Sequence, residues 1–218
     1  MRDAYFDQLD SIVDDLVAMT YEVQHAVREA TKALLTADAD IAEKVISDDA
    51  AIDAARERIE ARSFELLALQ QPVAKDLRML VAALRMVADL ERMGDLSVHV
   101  AKVARLRVPA TAVPEELVPT IERMATVAEK MVGTVAGIIA ERDVDGARQL
   151  EEDDEEMDSL RRSSFRLMLD DSWPHGVEPA VDIALLGRYY ERIADHAVSL
   201  ARRVVYLVTG KTVSALEL

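Results

Sequence analysis

The stretch Val108-Pro109-Ala110-Thr111-Ala112-Val113-Pro114 divides a chain of 218 residues into two halves of similar length. A helix cannot continue through its two prolines, because proline lacks the backbone N–H and clashes with the preceding turn. On both sides of this linker, long segments carry apolar residues at helical spacing. The whole chain has only 7 glycines and 6 prolines, and β-hairpin signals are missing. The sequence therefore predicts an all-α fold with a break near its middle.

Turn residues divide each half into three predicted helices. Asp38 and Asp40 are suited to an N-cap, and Asp143 is expected to start the fifth helix. Pro72 suits the first turn of the third helix, and Gly210 suits the end of the sixth. The helices are expected over residues 3–36, from 38–40 to 70–71, and over 73–107, 116–141, 144–170 and 180–208. The corresponding division is a first bundle at 1–108, a second at 114–210 and a C-terminal tail at 211–218.

The two halves also match each other in sequence. Residues 38–53 correspond to 143–158 at an offset of 105, and residues 81–101 correspond to 181–201 at an offset of 100. In the second alignment, Glu and Arg at 91 and 92, and Asp at 95, recur within matched apolar positions. Such self-similarity indicates an internal duplication. We therefore expect two tandem three-helix bundles related by that duplication.

Acidic residues stand four positions apart at four duplicated places: Asp49/Asp53, Glu91/Asp95, Asp154/Asp158 and Glu191/Asp195. Residues at this spacing share one helix face, where two like charges repel each other. Glu91 and Asp95 interrupt an otherwise apolar stripe, so burial there requires a neutralising partner. That partner is an arginine such as Arg92 or Arg192, water at an exposed end, or a hard cation such as Mg²⁺, Ca²⁺, Mn²⁺ or iron.

Composition excludes several classes of function. The 26 basic and 41 acidic residues give a formal charge of −15, which disfavours nucleic acid and anionic lipid as general partners. The absence of cysteine excludes disulfides, thiolate metal sites and cysteine nucleophiles. The longest uncharged run, at 131–140, has ten residues, too few for a membrane span. With a charged N-terminus unlike a signal peptide, the chain is predicted to be cytoplasmic.

Smaller motifs leave other functions open. Glu22 and His25 have the spacing of di-iron helices, but no second Glu-x-x-His occurs, so a surface histidine is the preferred interpretation. His99 and His196 flank the acidic motifs and are accessory ligands, polar packing residues or solvent-exposed residues. No catalytic constellation is present, so the chain is predicted not to be an enzyme. A metal-dependent helical enzyme and a metal-storage or scaffold protein remain the alternatives.

Two segments carry a resemblance to a known family. Asp89-Leu90-Glu91-Arg92-Met93-Gly94-Asp95 and Tyr190-Glu191-Arg192-Ile193-Ala194-Asp195-His196 resemble the signature helices of the PhoU family, the phosphate-specific transport system accessory proteins. The resemblance implies two three-helix bundles, a homodimer, and iron or another divalent metal such as magnesium, manganese or zinc at E(D)xxxD pairs. Those pairs correspond here to Asp49/Asp53 with Glu91/Asp95, and to Asp154/Asp158 with Glu191/Asp195.

The resemblance also implies a function. A member of this family is expected to be a non-enzymatic negative regulator of phosphate uptake and phosphate-starvation signalling. It would link the ATPase of a phosphate ABC transporter to a sensor histidine kinase, and would meet the membrane only through these partners. The two halves differ, because Tyr189, Ala194 and Ser199 replace Asp89, Gly94 and His99. The second site thereby loses an extra oxygen ligand that Asp89 could supply to the first.

Overall fold

The computed structural model describes the backbone of residues 2–211 and the side chains of residues 5–69, 71–151 and 154–211. It contains long α-helices joined by short turns, and the described backbone contains no β-strand, so the predicted all-α fold is confirmed. The helices are α1 (Arg2–Thr36), α2 (Ala39–Gln70), α3 (Ala74–Arg107), α4 (Val118–Glu141), α5 (Val144–Met168) and α6 (Val177–Thr209), with a short 3-10 helix (Glu115–Leu117) before α4. The predicted tail lies outside the described residues apart from Lys211.

The helix ends follow local backbone chemistry. The Asp38 carboxylate, one of the two predicted candidates, accepts hydrogen bonds from the first N–H groups of α2. Asp143, which was predicted to start α5, caps that helix in the same way. Gly210 ends α6 with φ +73°, a conformation that glycine adopts without steric strain. The prediction for Pro72 was wrong, because α3 begins only at Ala74 and Pro72 stays in the turn before it.

Four helices form a ring around a shared core. α1 packs against α3 and α4, and α6 packs against the same two helices, while α2 covers α1 and α3 and α5 covers α4 and α6. Each half therefore forms a three-helix unit, as the duplication predicts. The exact division into 1–108 and 114–210 stays a prediction, because one continuous apolar core joins both halves. None of the described helices has an apolar stretch long enough to cross a membrane.

Buried positions extend the duplication to the first helix of each half. Positions 12, 16 and 19 of α1 correspond at an offset of 105 to positions 117, 121 and 124 in the second half, and all six side chains are at most 2% exposed. Equivalent positions also meet each other, since the Gln24 side-chain amide donates to the backbone oxygen of Glu129 at 3.3 Å. α1 and α4 therefore cross on an approximate two-fold axis that relates the halves.

The contact between α3 and α6 has the same symmetry. On one side of the axis, Ser199 donates to the Asp89 carboxylate at 3.2 Å. The duplicated residues, His99 and Tyr189, stack with ring centroids 5.3 Å apart. Because Arg107 at the end of α3 binds Asp182 near the start of α6 at 2.6 Å, the two helices run antiparallel. The approximate two-fold axis therefore passes between α3 and α6 and perpendicular to them.

Candidate functional site

The first carboxylate cluster lies in the groove between α2 and α3. Asp49 and Asp53 come from α2, and Glu91 and Asp95 come from α3; all but the exposed Asp53 are half-buried. Gly94 allows the helices to approach closely here, because a Cβ at this position would lie 3.2 Å from Asp49 Oδ1. The structure thus brings together the four residues that the sequence grouped in the first half.

The electrostatics of this cluster are unfavourable. Burial, together with the charges of Asp53, Asp95 and Glu91, raises the pKa of Asp49 to about 6. Lys102 opposes this shift only weakly, as the smallest of the contributions. Within the described side chains, Asp95 pairs with the exposed Arg92 at 2.9 Å, whereas Glu91 forms no ion pair. A cation placed among these oxygens would relieve the repulsion.

The second cluster occupies the equivalent groove between α5 and α6. Burial and the charges of Asp195, Asp158 and Glu191 raise the pKa of Asp154, while Arg202 lowers it. The residues grouped by sequence in this half therefore also lie together. The approximate two-fold axis relates this cluster to the first.

Arginines distinguish the second cluster from the first. Glu191 is buried, and its carboxylate accepts hydrogen bonds from Arg161 at 3.0 Å and from Arg188 at 2.5 Å. The positions duplicated from these arginines hold Arg56, which makes no such bond to Glu91, and Ala88, which has no charge. Pairing of the carboxylates with arginine, the alternative to metal, thus describes Glu191 but not Glu91.

The fit of a metal ion differs between the clusters. Among the side chains described, no three His, Asp or Glu residues already converge in a geometry that would hold a metal. The first cluster nevertheless offers hard oxygen ligands whose mutual repulsion a cation would offset. In the second cluster, two guanidinium groups already neutralise Glu191, so a metal would have to displace them. The residues of the first cluster therefore fit a metal better.

The sequence indicated that Asp89 could supply an extra oxygen ligand to the first cluster, and the structure corrects this interpretation. Its carboxylate points to α6, where it accepts hydrogen bonds from His196 at 3.0 Å, Ser199 at 3.2 Å and Arg203 at 2.8 Å. Burial alone would raise the pKa of Asp89, but the hydrogen bonds from His196 and Arg203 outweigh it and lower the pKa. His196 and His99 both take part in the contact between α3 and α6. For each histidine, this corresponds to the polar-packing interpretation.

Sequence reasoning missed this network for an identifiable reason. Asp89 and Arg203 are 114 positions apart, and no spacing rule connects residues on different helices across such a distance. The available signal was a departure from the duplication. The positions equivalent to His196 and Arg203 hold Leu96 and Val103, so these polar groups are present on α6 and not at the duplicated positions of α3.

Comparison with known proteins gives consistent results. The PhoU domain family model matches residues 16–104 and again 121–204. The chain is 46% identical to the phosphate-specific transport system accessory protein PhoU homolog 2 of Mycobacterium tuberculosis, over 96% of this chain and 99% of that protein. It is similar to the crystal structure of PhoU from Pseudomonas aeruginosa, with a TM-score of 0.84 and 29% identity over 95% of this chain and 100% of that one. It is also similar to the crystal structure of the phosphate transport system regulatory protein PhoU from Streptococcus pneumoniae. The TM-score is 0.86 and the sequence identity 25%, over 96% of this chain and 99% of that one.

Proposed function

Because the chain belongs to the PhoU family, we propose that it is a non-enzymatic negative regulator of phosphate uptake and phosphate-starvation signalling. One observation carries this proposal: the chain is similar over nearly its whole length to accessory proteins of phosphate transport systems. Both halves of the duplicated unit are included in that similarity. The proposed function is therefore a property of the whole chain and not of a single site.

The proposed partners follow from the family. The protein would act in the cytoplasm as a homodimer, between the ATPase of a phosphate ABC transporter and a sensor histidine kinase. Its long helices offer extended faces to such partners, and the internal duplication repeats the same three-helix unit in both halves. Signalling would be damped when phosphate is plentiful.

Metal binding is part of the proposal, with the first cluster as its main site. Asp49, Asp53, Glu91 and Asp95 would hold iron or another divalent ion, and the bound ion would supply positive charge on one face. Asp154, Asp158, Glu191 and Asp195 form the second proposed site. There, Arg161 and Arg188 already provide much of the neutralising charge. We therefore expect weaker binding at the second site.

Deletion of the gene tests the regulatory role. In phosphate-rich medium, the deletion strain should express phosphatase and take up phosphate as if starved, because the damping signal is lost. A plasmid carrying the wild-type gene should restore repression. Phosphatase expression and uptake that stay at the repressed level in the deletion strain would reject the proposed function.

A further inference from the structure

A groove between α1 and α2 is a second candidate site, and of the first carboxylate cluster only Asp49 lines it. It encloses about 560 Å³, within the range of small-ligand and peptide sites. Its floor is apolar and is formed by Ala26, Ile41, Val45, Ile52 and Val98. On α1 the lining extends from Tyr21 to Glu29, a length of about 12 Å or two helical turns.

The internal duplication explains why this groove is open. Ala26 corresponds at an offset of 105 to Met131, and Glu22 corresponds to Val127. In the second half, both equivalents are buried, with Met131 at 0% and Val127 at 5% exposure. In the first half, Ala26 is half-buried and Glu22 is exposed. A methionine and a valine thus fill in one half the space that an alanine and a glutamate leave open in the other.

The charged groups around the groove are mainly acidic. Glu22, Glu29, Asp48 and Asp49 line it, against one cation, Lys44. His25 of α1 also lines the groove. Within the described side chains, Glu22 and Asp48 form no ion pair, and Glu29 has only Lys32 at 3.9 Å. The groove therefore combines an apolar floor with a rim of largely unneutralised carboxylates.

We propose that this groove binds an amphipathic helix of a partner protein, one with leucine-like side chains on one face and lysine or arginine on the flanks. The apolar floor would take side chains at positions i, i+3 and i+4, as in other helix-in-groove complexes. The acidic rim would pair with the basic flanks. A second copy of this chain is a poorer occupant of this groove, because its formal charge of −15 would meet the acidic rim, so the proposed homodimer would use another face. The inference does not depend on the proposed role in phosphate signalling, and its test measures binding alone.

A designed peptide serves as the probe. It has 14 residues, with leucine at helical positions i, i+3, i+4 and i+7 and their repeats, and lysine at the others. A control peptide has the same composition without helical period. In fluorescence anisotropy with EDTA at about 0.15 M salt, where exposed charges are screened beyond roughly 8 Å, the amphipathic peptide should bind at least ten-fold more tightly than the control. Equal binding of both peptides would overturn the proposal in favour of general charge attraction.

The duplication supplies the matched variants. Ala26→Met places the residue of the second half in the first, fills the groove without changing charge, and should weaken peptide binding at least ten-fold. Ala61→Met, on an exposed position of α2 outside the groove, should bind as the wild type does. Unchanged binding by Ala26→Met would overturn the proposal.

Two further measurements keep the result interpretable. Thermal melting should show that Ala26→Met unfolds at the same midpoint temperature as the wild type. If this variant does not fold, Glu22→Gln with Asp48→Asn becomes the decisive variant and should weaken peptide binding at least three-fold.

Sedimentation of the wild type should show that the peptide does not compete with self-association. Displacement of a second copy by the peptide would overturn the partner-helix proposal, as would displacement of the peptide by an equimolar amount of a small polyamine such as spermine.

Discussion

Replacing Glu91 with glutamine and Asp95 with asparagine is expected to lower metal binding at least ten-fold and, at the same time, to stabilise the metal-free protein. The physical reason is the same for both effects. In the proposed metal site, Glu91 and Asp95 would supply oxygen ligands to the cation, and without a cation their charges raise the pKa of Asp49. Metal content after purification without chelators, and melting in EDTA, measure the two effects separately.

The size of the stabilisation follows from the Asp49 carboxyl. Its pKa of about 6 exceeds the value of 3.8 expected in an unfolded chain, so the native state binds more protons between these values. In EDTA, wild-type stability should therefore fall as the pH rises from about 4 to 6. Solvent screening reduces the effect, and burial and Asp53 still raise the pKa of Asp49 in the double variant. We therefore expect this variant to gain about 0.5 kcal/mol at pH 7, or about 1–2 °C.

The second cluster provides the matched control. Glu191→Gln with Asp195→Asn removes the duplicated residues, but Glu191 is the hydrogen-bond acceptor of Arg161 and Arg188. This variant should therefore destabilise the metal-free protein, the opposite sign to the first cluster. Its metal content should also fall less, relative to the wild type, than that of the first-cluster variant. Equal metal content in the first-cluster variant and the wild type would reject the first cluster as the main metal site.

Replacing Asp89 with alanine is expected to lower the free energy of unfolding by about 3 kcal/mol. The carboxylate is 13% exposed and accepts hydrogen bonds from His196 and Arg203, whose side chains are 15% and 27% exposed. Without Asp89, the arginine loses its ion pair and the histidine its hydrogen-bond partner at the α3–α6 contact. Urea unfolding of the variant and the wild type measures the difference.

The control for Asp89 is Asp15, which also pairs with an arginine of another helix. Asp15 and Arg62 are both 39% exposed, so Asp15→Ala should cost less than about 1 kcal/mol. Equal losses in the two variants would show that the Asp89 network contributes no more than an exposed ion pair.

The pH dependence of stability should also distinguish the contribution of Asp89 from that of Asp49. Because the pKa of Asp89 is lowered in the folded protein, its contribution is present above the unfolded value near 3.8 and is lost as the pH falls through the folded value. The wild type should therefore lose stability on acidification below about pH 4, and Asp89→Ala should lose less over the same range. An identical loss in both proteins would contradict this assignment.

Local sequence features predicted most of the fold because they act within one helix. Asp38 and Asp143 accept bonds from N–H groups two and three residues away, so their positions reveal the starts of α2 and α5. The proline-containing linker ended α3 as predicted. Pro72 was misplaced because a proline fits equally well in a turn before a helix and in the first helical turn.

The membership of the two carboxylate clusters was also predictable from the sequence, because the duplication aligned them. The charged groups that pair with each cluster could not be predicted in this way. Arg161 lies on α5 and Arg188 on α6, and only the packing of these helices brings both to Glu191. Their duplicated counterparts, Arg56 and Ala88, do not do the same for Glu91.

By itself, the sequence determined the helices, the duplication and the acidic residues of each groove, since these depend on spacing along the chain. Only the tertiary structure decided which charges are neutralised, that Asp89 joins α3 to α6, and that the groove beside Ala26 is open. These depend on distances between helices, which are set by the volumes of side chains far apart in sequence. Met131 and Ala26 occupy equivalent positions, yet one fills its groove and the other leaves it accessible.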